Sequence, residues 1–130
     1  MNRPISIALT ALALASGAFQ RASADGPPIM VSDCRGGIAS IELVEIAGYN
    51  VTFRNTAAVT ADEVDLAIPY GRRKTATFDV RGTFPPNVDV QKALRKTVSG
   101  GLYAYESDKN TCNVQHVHFT DGTTWDRPQS

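Results

Sequence analysis

The stretch Tyr49-Asn50-Val51-Thr52-Phe53-Arg54 decides the fold class. Tyr49, Val51 and Phe53 share one parity while Asn50, Thr52 and Arg54 share the other. This period of two marks a strand with one face on a core and one in water. Val64, Leu66, Ile68 and Tyr70 repeat it around Asp65 and Ala67, and so do Ala76, Phe78 and Val80 around Thr77 and Asp79. A one-residue slip would turn every apolar side chain outward, so register in such strands is well specified. Helical periodicity is nearly absent. The one passable window, Val90 to Val98, carries β-branched ends that argue against a helix.

Working outward, the flanking segments are less regular. Ser40 to Ala47 is apolar on both parities, which a β-bulge between Leu43 and Val44 would reconcile. Val88 to Gln91 alternates briefly. Leu102 to Tyr105, apolar on both parities, suits a central strand, and Val117 and Phe119 end a last strand before the turn Asp121-Gly122. Gly36-Gly37, Gly71, Gly82, Pro85-Pro86-Asn87, Gly100-Gly101 and Ser107 to Asn110 punctuate the chain. Pro69 cannot donate to a ladder, so the strand holding it is expected at an edge. About seven or eight short strands predict an all-β antiparallel sandwich over residues 31–125, with a flexible leader at 25–30 and a tail at 126–130.

The first 24 residues read as a cleavable signal peptide. Arg3 supplies the positive start, Ile5 to Ala18 form an uncharged apolar run of 14 residues, and Ala22-Ser23-Ala24 places the cut before Asp25. The run is too short for a membrane span, and no later segment is long and apolar enough. The expected location is therefore the periplasm or the extracellular space, without membrane insertion of the mature chain. Cys34 and Cys112, the only cysteines, are expected to pair in that compartment. Closing a loop of about 79 residues is worth roughly 4.5 kcal/mol on the chain-entropy model.

The 13 basic and 13 acidic residues become 11 and 13 once Arg3 and Arg21 leave with the peptide. A net charge of that size gives no field for nucleic acid or an anionic membrane, and the aromatics fall on the core parity instead of a basic face. The local cluster Arg72-Arg73-Lys74 beside Gly71 reads as a solvated hairpin turn.

One part of the chain resembles a known pattern. Val51-Thr52-Phe53-Arg54-Asn55-Thr56, then Ala61 to Gly71, then Gly82-Thr83-Phe84-Pro85-Pro86 is similar to the layout of small bacterial immunoglobulin-like modules of the FxLYD and CARDB type. The resemblance covers about 36 residues. It implies an immunoglobulin-like β-sandwich that is exported, non-catalytic and active through loops or edges, and it carries over no functional residue. The widely spaced cysteines and the ending from Cys112 to Trp125 depart from the pattern.

Chemistry-bearing constellations are few. His116 and His118, two apart on an expected strand, put both rings on one face about 6–7 Å apart. Such a pair can share Cu²⁺ or Zn²⁺ if further ligands approach, with Asp121, Glu106 and Asp108 the nearest acids in sequence. Val117 and Phe119 take the core parity, which turns both histidines to solvent. No Gly-x-Ser-x-Gly elbow or phosphate loop is present, and Asp62-Glu63, Glu42 and Glu45 read as surface carboxylates. An enzyme is therefore not expected, and no cofactor beyond the possible metal. Trp125 either closes one end of the sandwich with Phe119 and Tyr103 or stands exposed beside Arg127 as a contact anchor. The leading expectation is a binding domain for a protein or glycan, with Pro69, Tyr70, Arg72, Arg73, Lys74 and Trp125 as the contact surface. The alternative is a periplasmic Cu or Zn protein using His116, His118 and Asp121.

Overall fold

The computed structural model describes residues 26–71, 73–99 and 110–128. Seven strands run through them: β1 (Ile29–Ile41), β2 (Val44–Asn55), β3 (Ala61–Tyr70), β4 (Lys74–Phe84), β5 (Asp89–Val98), β6 (Asn113–Phe119) and β7 (Thr124–Asp126). They form two antiparallel sheets, ordered β1-β2-β5 and β4-β3-β6-β7. The chain changes sheet after β2, β4 and β5, so that β5 returns to β2 and β6 to β3. This is the Greek-key connectivity of an immunoglobulin-like sandwich, as the alternating segments predict.

The core is the sum of the inward parities. Tyr49, Val51 and Phe53 of β2 face Val64, Leu66 and Ile68 of β3, Phe78, Val80 and Phe84 of β4, and Val117 and Phe119 of β6. Two edge-to-face ring pairs join the sheets, Phe53 with Phe84 at 5.2 Å and Tyr49 with Phe78 at 6.0 Å. Lys92 and Lys96 of β5 share the core parity, opposite Val51 and Ala47. Their ammonium groups close the side of the sandwich over the Phe84 and Phe78 rings, each at 5.8 Å, and Lys96 donates to the Thr77 carbonyl of β4 at 2.7 Å.

Asn55 is the one buried polar residue among those described, and it organises the far end of the sandwich. Its amide donates to the Val59 carbonyl at 2.7 Å and the Phe84 carbonyl at 2.9 Å, and its side-chain oxygen accepts from the Ala57 amide at 2.9 Å. The Asn-Thr that ends the Val51-Thr52-Phe53 strand thus ties the first crossover to the end of β4. Cys34 in β1 and Cys112, just before β6, form a disulfide across the two sheets, with Cα atoms 6.3 Å apart. Asn110 adds bonds from its backbone and side-chain nitrogens to the carbonyl of Cys34, and from its side chain to that of Gly36.

Several local expectations need correction. No bulge separates Leu43 from Val44. Glu42 and Leu43 are the two central residues of a tight hairpin turn, with φ of 49° and 70°, and Ile41 pairs with Val44. Gly36-Gly37 runs inside β1 instead of dividing strands, because Gly36 lies directly against β2: a Cβ there would sit 2.0 Å from the Gly48 carbonyl oxygen. The short alternation at 88–91 extends through Val98 as an edge strand. Pro69 is not on an edge strand, since β3 lies between β4 and β6. It stands past Ala67, the last β3 residue with a β6 partner among the described residues. Ile29, expected in the leader, is a buried β1 residue, and Asp126, expected in the tail, belongs to β7. The expected strand at Leu102 to Tyr105 lies outside the described residues. No helix among them is long and apolar enough to cross a membrane.

Candidate metal centre

The outer face of the four-stranded sheet concentrates the acids and both histidines. Pairing of β3 with its neighbours sets two cross-strand rows. One reads Asp79, Asp65, His116, Asp126 from β4 to β7, and the next reads Arg81, Glu63, His118, Thr124. Two irregularities bring the rows into this register. Asp62 has no β6 partner between the pairs Ala61–Phe119 and Glu63–His118, and Gln115 has no β3 partner between Leu66–Val114 and Asp65–His116. Each is a one-residue bulge that re-aims its neighbours. Val114 and Val117 therefore both enter the core while His116 and His118 both stay outside, as their parity predicts.

Both imidazoles are oriented by a carboxylate. His116 Nδ1 lies 2.6 Å from Asp126 Oδ1, and His118 Nδ1 lies 2.5 Å from Asp62 Oδ1. A neutral ring that donates its Nδ1 proton to a carboxylate keeps the lone pair on Nε2, the arrangement that prepares metal-ligating histidines. The Asp126 bond raises the pKa of His116, with burial opposing it.

Glu63, Asp65 and His116 are half-buried and can each offer one ligand atom, all within 4.8 Å of one another. Asp65 holds the least comfortable position. Its Oδ1 is sealed from solvent without a hydrogen-bond partner among the described residues. Burial, then contact with the carboxyl groups of Glu63 and Asp79, pushes its pKa from 3.8 up to about 7. Arg81 compensates little, reaching Glu63 at 3.5 Å from an exposed position.

The site expected from sequence is thus only partly assembled. His116 joins Glu63 and Asp65, not His118 and Asp121. His118 turns to Asp62, and Asp121 caps its own turn, accepting from the Thr123 hydroxyl and amide at 2.6 and 3.0 Å, which lowers its pKa. Glu106 and Asp108 lie outside the described residues. Of the expected contact surface, Pro69, Arg73 and Lys74 are exposed, Tyr70 is half-buried, and Arg72 is outside the described residues. Trp125 is 5% exposed opposite Val117 and belongs to the core, not to a contact surface. Sequence reasoning missed Asp65, although its alternation with Val64 and Leu66 puts it on the face of Glu63. Comparison of the chain with protein-family models, curated proteins and solved structures gives no match. The resemblance to FxLYD and CARDB-type modules accordingly rests on its motif residues alone.

Proposed function

We propose that this protein is an exported β-sandwich that binds a divalent transition-metal ion, Zn²⁺ by preference, through Glu63, Asp65 and His116. The observation that carries the proposal is the orphaned Asp65 Oδ1, sealed between like charges and beside an imidazole already oriented for ligation. A buried carboxyl among carboxyls is costly, and a dication at this point would neutralise the cluster and give the orphaned oxygen a partner. One imidazole and two carboxylates form an N/O donor set suited to Zn²⁺ and leave a coordination position open. Tetrahedral ligands about 2.1 Å from zinc lie roughly 3.4 Å apart, so groups within 4.8 Å of one another reach that geometry by closing at most about 1.4 Å. The disulfide and the expected signal peptide support an oxidising location, the periplasm or beyond the cell.

Strand addition at the β4–β5 flank is disfavoured because Lys92 and Lys96 occupy it. Calorimetric titration of residues 25–130 with Zn²⁺ tests the metal-binding reading. Binding is expected to vanish in Asp65→Asn and His116→Ala and to persist in His118→Ala. Absence of heat in the unmodified protein, or binding that survives both losses, would refute the proposal. Binding of Cu²⁺ that requires His118 would restore the histidine pair instead.

A further inference from the structure

The opposite end of the molecule from Asn55 carries an unusual pair of turns. The β1–β2 hairpin presents three apolar side chains to solvent: Ile41 at 50%, Val44 at 43% and Leu43 at 104% relative exposure. Both central residues are left-handed, Glu42 with φ 49° and Leu43 with φ 70°. This conformation penalises a side chain with a Cβ, and two-residue hairpins normally assign it to Asn-Gly. Among the described residues nothing requires Leu43 there, since its side chain is fully exposed. Backbone strain that holds a large apolar residue out in water points to a use for that residue.

The second turn lies beside the first. Glu45 of the hairpin pairs with Val98 at the end of β5. The next residue, Ser99, accepts a hydrogen bond at 2.9 Å from the Tyr70 hydroxyl, and Tyr70 pairs with Lys74 across the β3–β4 turn. Arg73 and Lys74 are exposed on that turn, and Arg73 is also left-handed, with φ 56°. Arg95 and Lys96 add positive charge a few residues down β5. Glu42 and Glu45 are the acids of the same hairpin.

We propose that this end of the sandwich seats on the surface of an anionic phospholipid bilayer. Leu43, flanked by Ile41 and Val44, enters the boundary between headgroups and acyl chains, and Arg73 and Lys74 contact the anionic headgroups. The apolar side chains project from a hairpin turn and line neither of the two described grooves, an arrangement that fits a soft interface better than a preformed protein surface. Weak apolar insertion combined with adjacent basic residues is the two-signal arrangement that holds proteins on membranes without spanning them. The small net charge of the whole chain does not oppose this, because screening limits the interaction to charges within about 10 Å of the lipid surface.

Vesicle co-sedimentation of residues 25–130, which include all seven strands and the disulfide but not the apolar run at 5–18, tests the proposal. The protein is expected to pellet with phosphatidylglycerol-containing vesicles and to stay in solution with vesicles of phosphatidylcholine alone. Leu43→Asp is expected to cut binding at least about tenfold, since it exchanges an apolar insertion for a charge. Arg73→Glu/Lys74→Glu is expected to cut it similarly. Glu42→Asn/Leu43→Gly separates folding from binding, because this pair suits the turn: it is expected to raise the melting temperature while abolishing vesicle binding. No binding to anionic vesicles, equal binding to neutral ones, or binding indifferent to Leu43→Asp would each overturn the proposal.

Discussion

Replacing Asn55 by Ala tests how far one buried amide holds the lower end of this sandwich. The substitution removes three hydrogen bonds and leaves the Val59 and Phe84 carbonyls and the Ala57 amide without their partner. The Phe84 carbonyl is fully buried and carries the full desolvation penalty, while the other two bonds are partly buried and regain some water. At about 1–3 kcal/mol for each unsatisfied group, discounted for the two wetter ones, the loss is about 3–5 kcal/mol. In a domain of this size each 1 kcal/mol moves the melting temperature by about 4–8 °C, so a fall of roughly 12–40 °C is expected. Urea unfolding followed by the fluorescence of Trp125, the only tryptophan and a buried one, reads the free energy directly. Asn55→Asp is nearly isosteric and sharpens the test. It keeps the acceptor for Ala57 but faces two carbonyls with a carboxylate, so it should be less stable at neutral pH than in acid, where the protonated group can donate once. A loss below about 1 kcal/mol for both variants would refute the argument, because it would mean that the freed groups find other partners at no cost.

Three further outcomes are expected. Cys34→Ser/Cys112→Ser should cost about 2–5 kcal/mol in urea unfolding, and two reactive thiols in the unmodified protein under non-reducing conditions would contradict the bridge. With a chelator present, stability should decline as pH rises from about 4 through 7, because the raised pKa of Asp65 lets the folded state hold a proton that the unfolded chain has released. The raised pKa of His116 adds to the decline above its ordinary 6.5, as the charged pair with Asp126 is lost. Melting curves across that range should flatten in Asp65→Asn, and an unchanged slope would remove Asp65 as the cause. Gly36→Ala should destabilise more than an ordinary surface change, since φ is 142° and the new Cβ would meet the Gly48 carbonyl, and a shift under about 0.5 kcal/mol in urea would count against that contact.

The fold was legible because its strands alternate cleanly. Tyr49 to Arg54, Val64 to Ile68 and Ala76 to Arg81 each declare their buried face, and Cys34 with Cys112 declares the bridge. The first hairpin was obscured because Glu42-Leu43 is not a turn-forming pair, so Ser40 to Ala47 looked like one irregular strand instead of two ends and a bend. β5 was read short because Lys92 and Lys96 stand on its core parity and break the pattern expected of a half-buried strand. The solvent-facing side of His116 and His118 was readable from Val117 and Phe119. Their neighbours were not, because Asp62, Glu63 and Asp65 come from β3, some 50 residues away, Asp126 comes from the far side of a turn, and the register depends on bulges at Asp62 and Gln115. Alternation sets which face a residue takes, but tertiary pairing decides what stands beside it.

The lysines that obscured β5 also govern how this molecule behaves when crowded with copies of itself. An outermost strand with unpaired amides and carbonyls is a template on which another chain can extend the sheet, the first step toward fibres. A strand approaching β5 would have to strip water from Lys92 and Lys96 and displace the bond from Lys96 to Thr77. On the other side of the same sheet, Asn110 already occupies the Cys34 and Gly36 carbonyls of β1. Replacing both lysines with leucine would give β5 the regular alternation it lacks and enlarge the apolar core. The same change should remove the charges that guard this edge and favour edge-to-edge polymerisation.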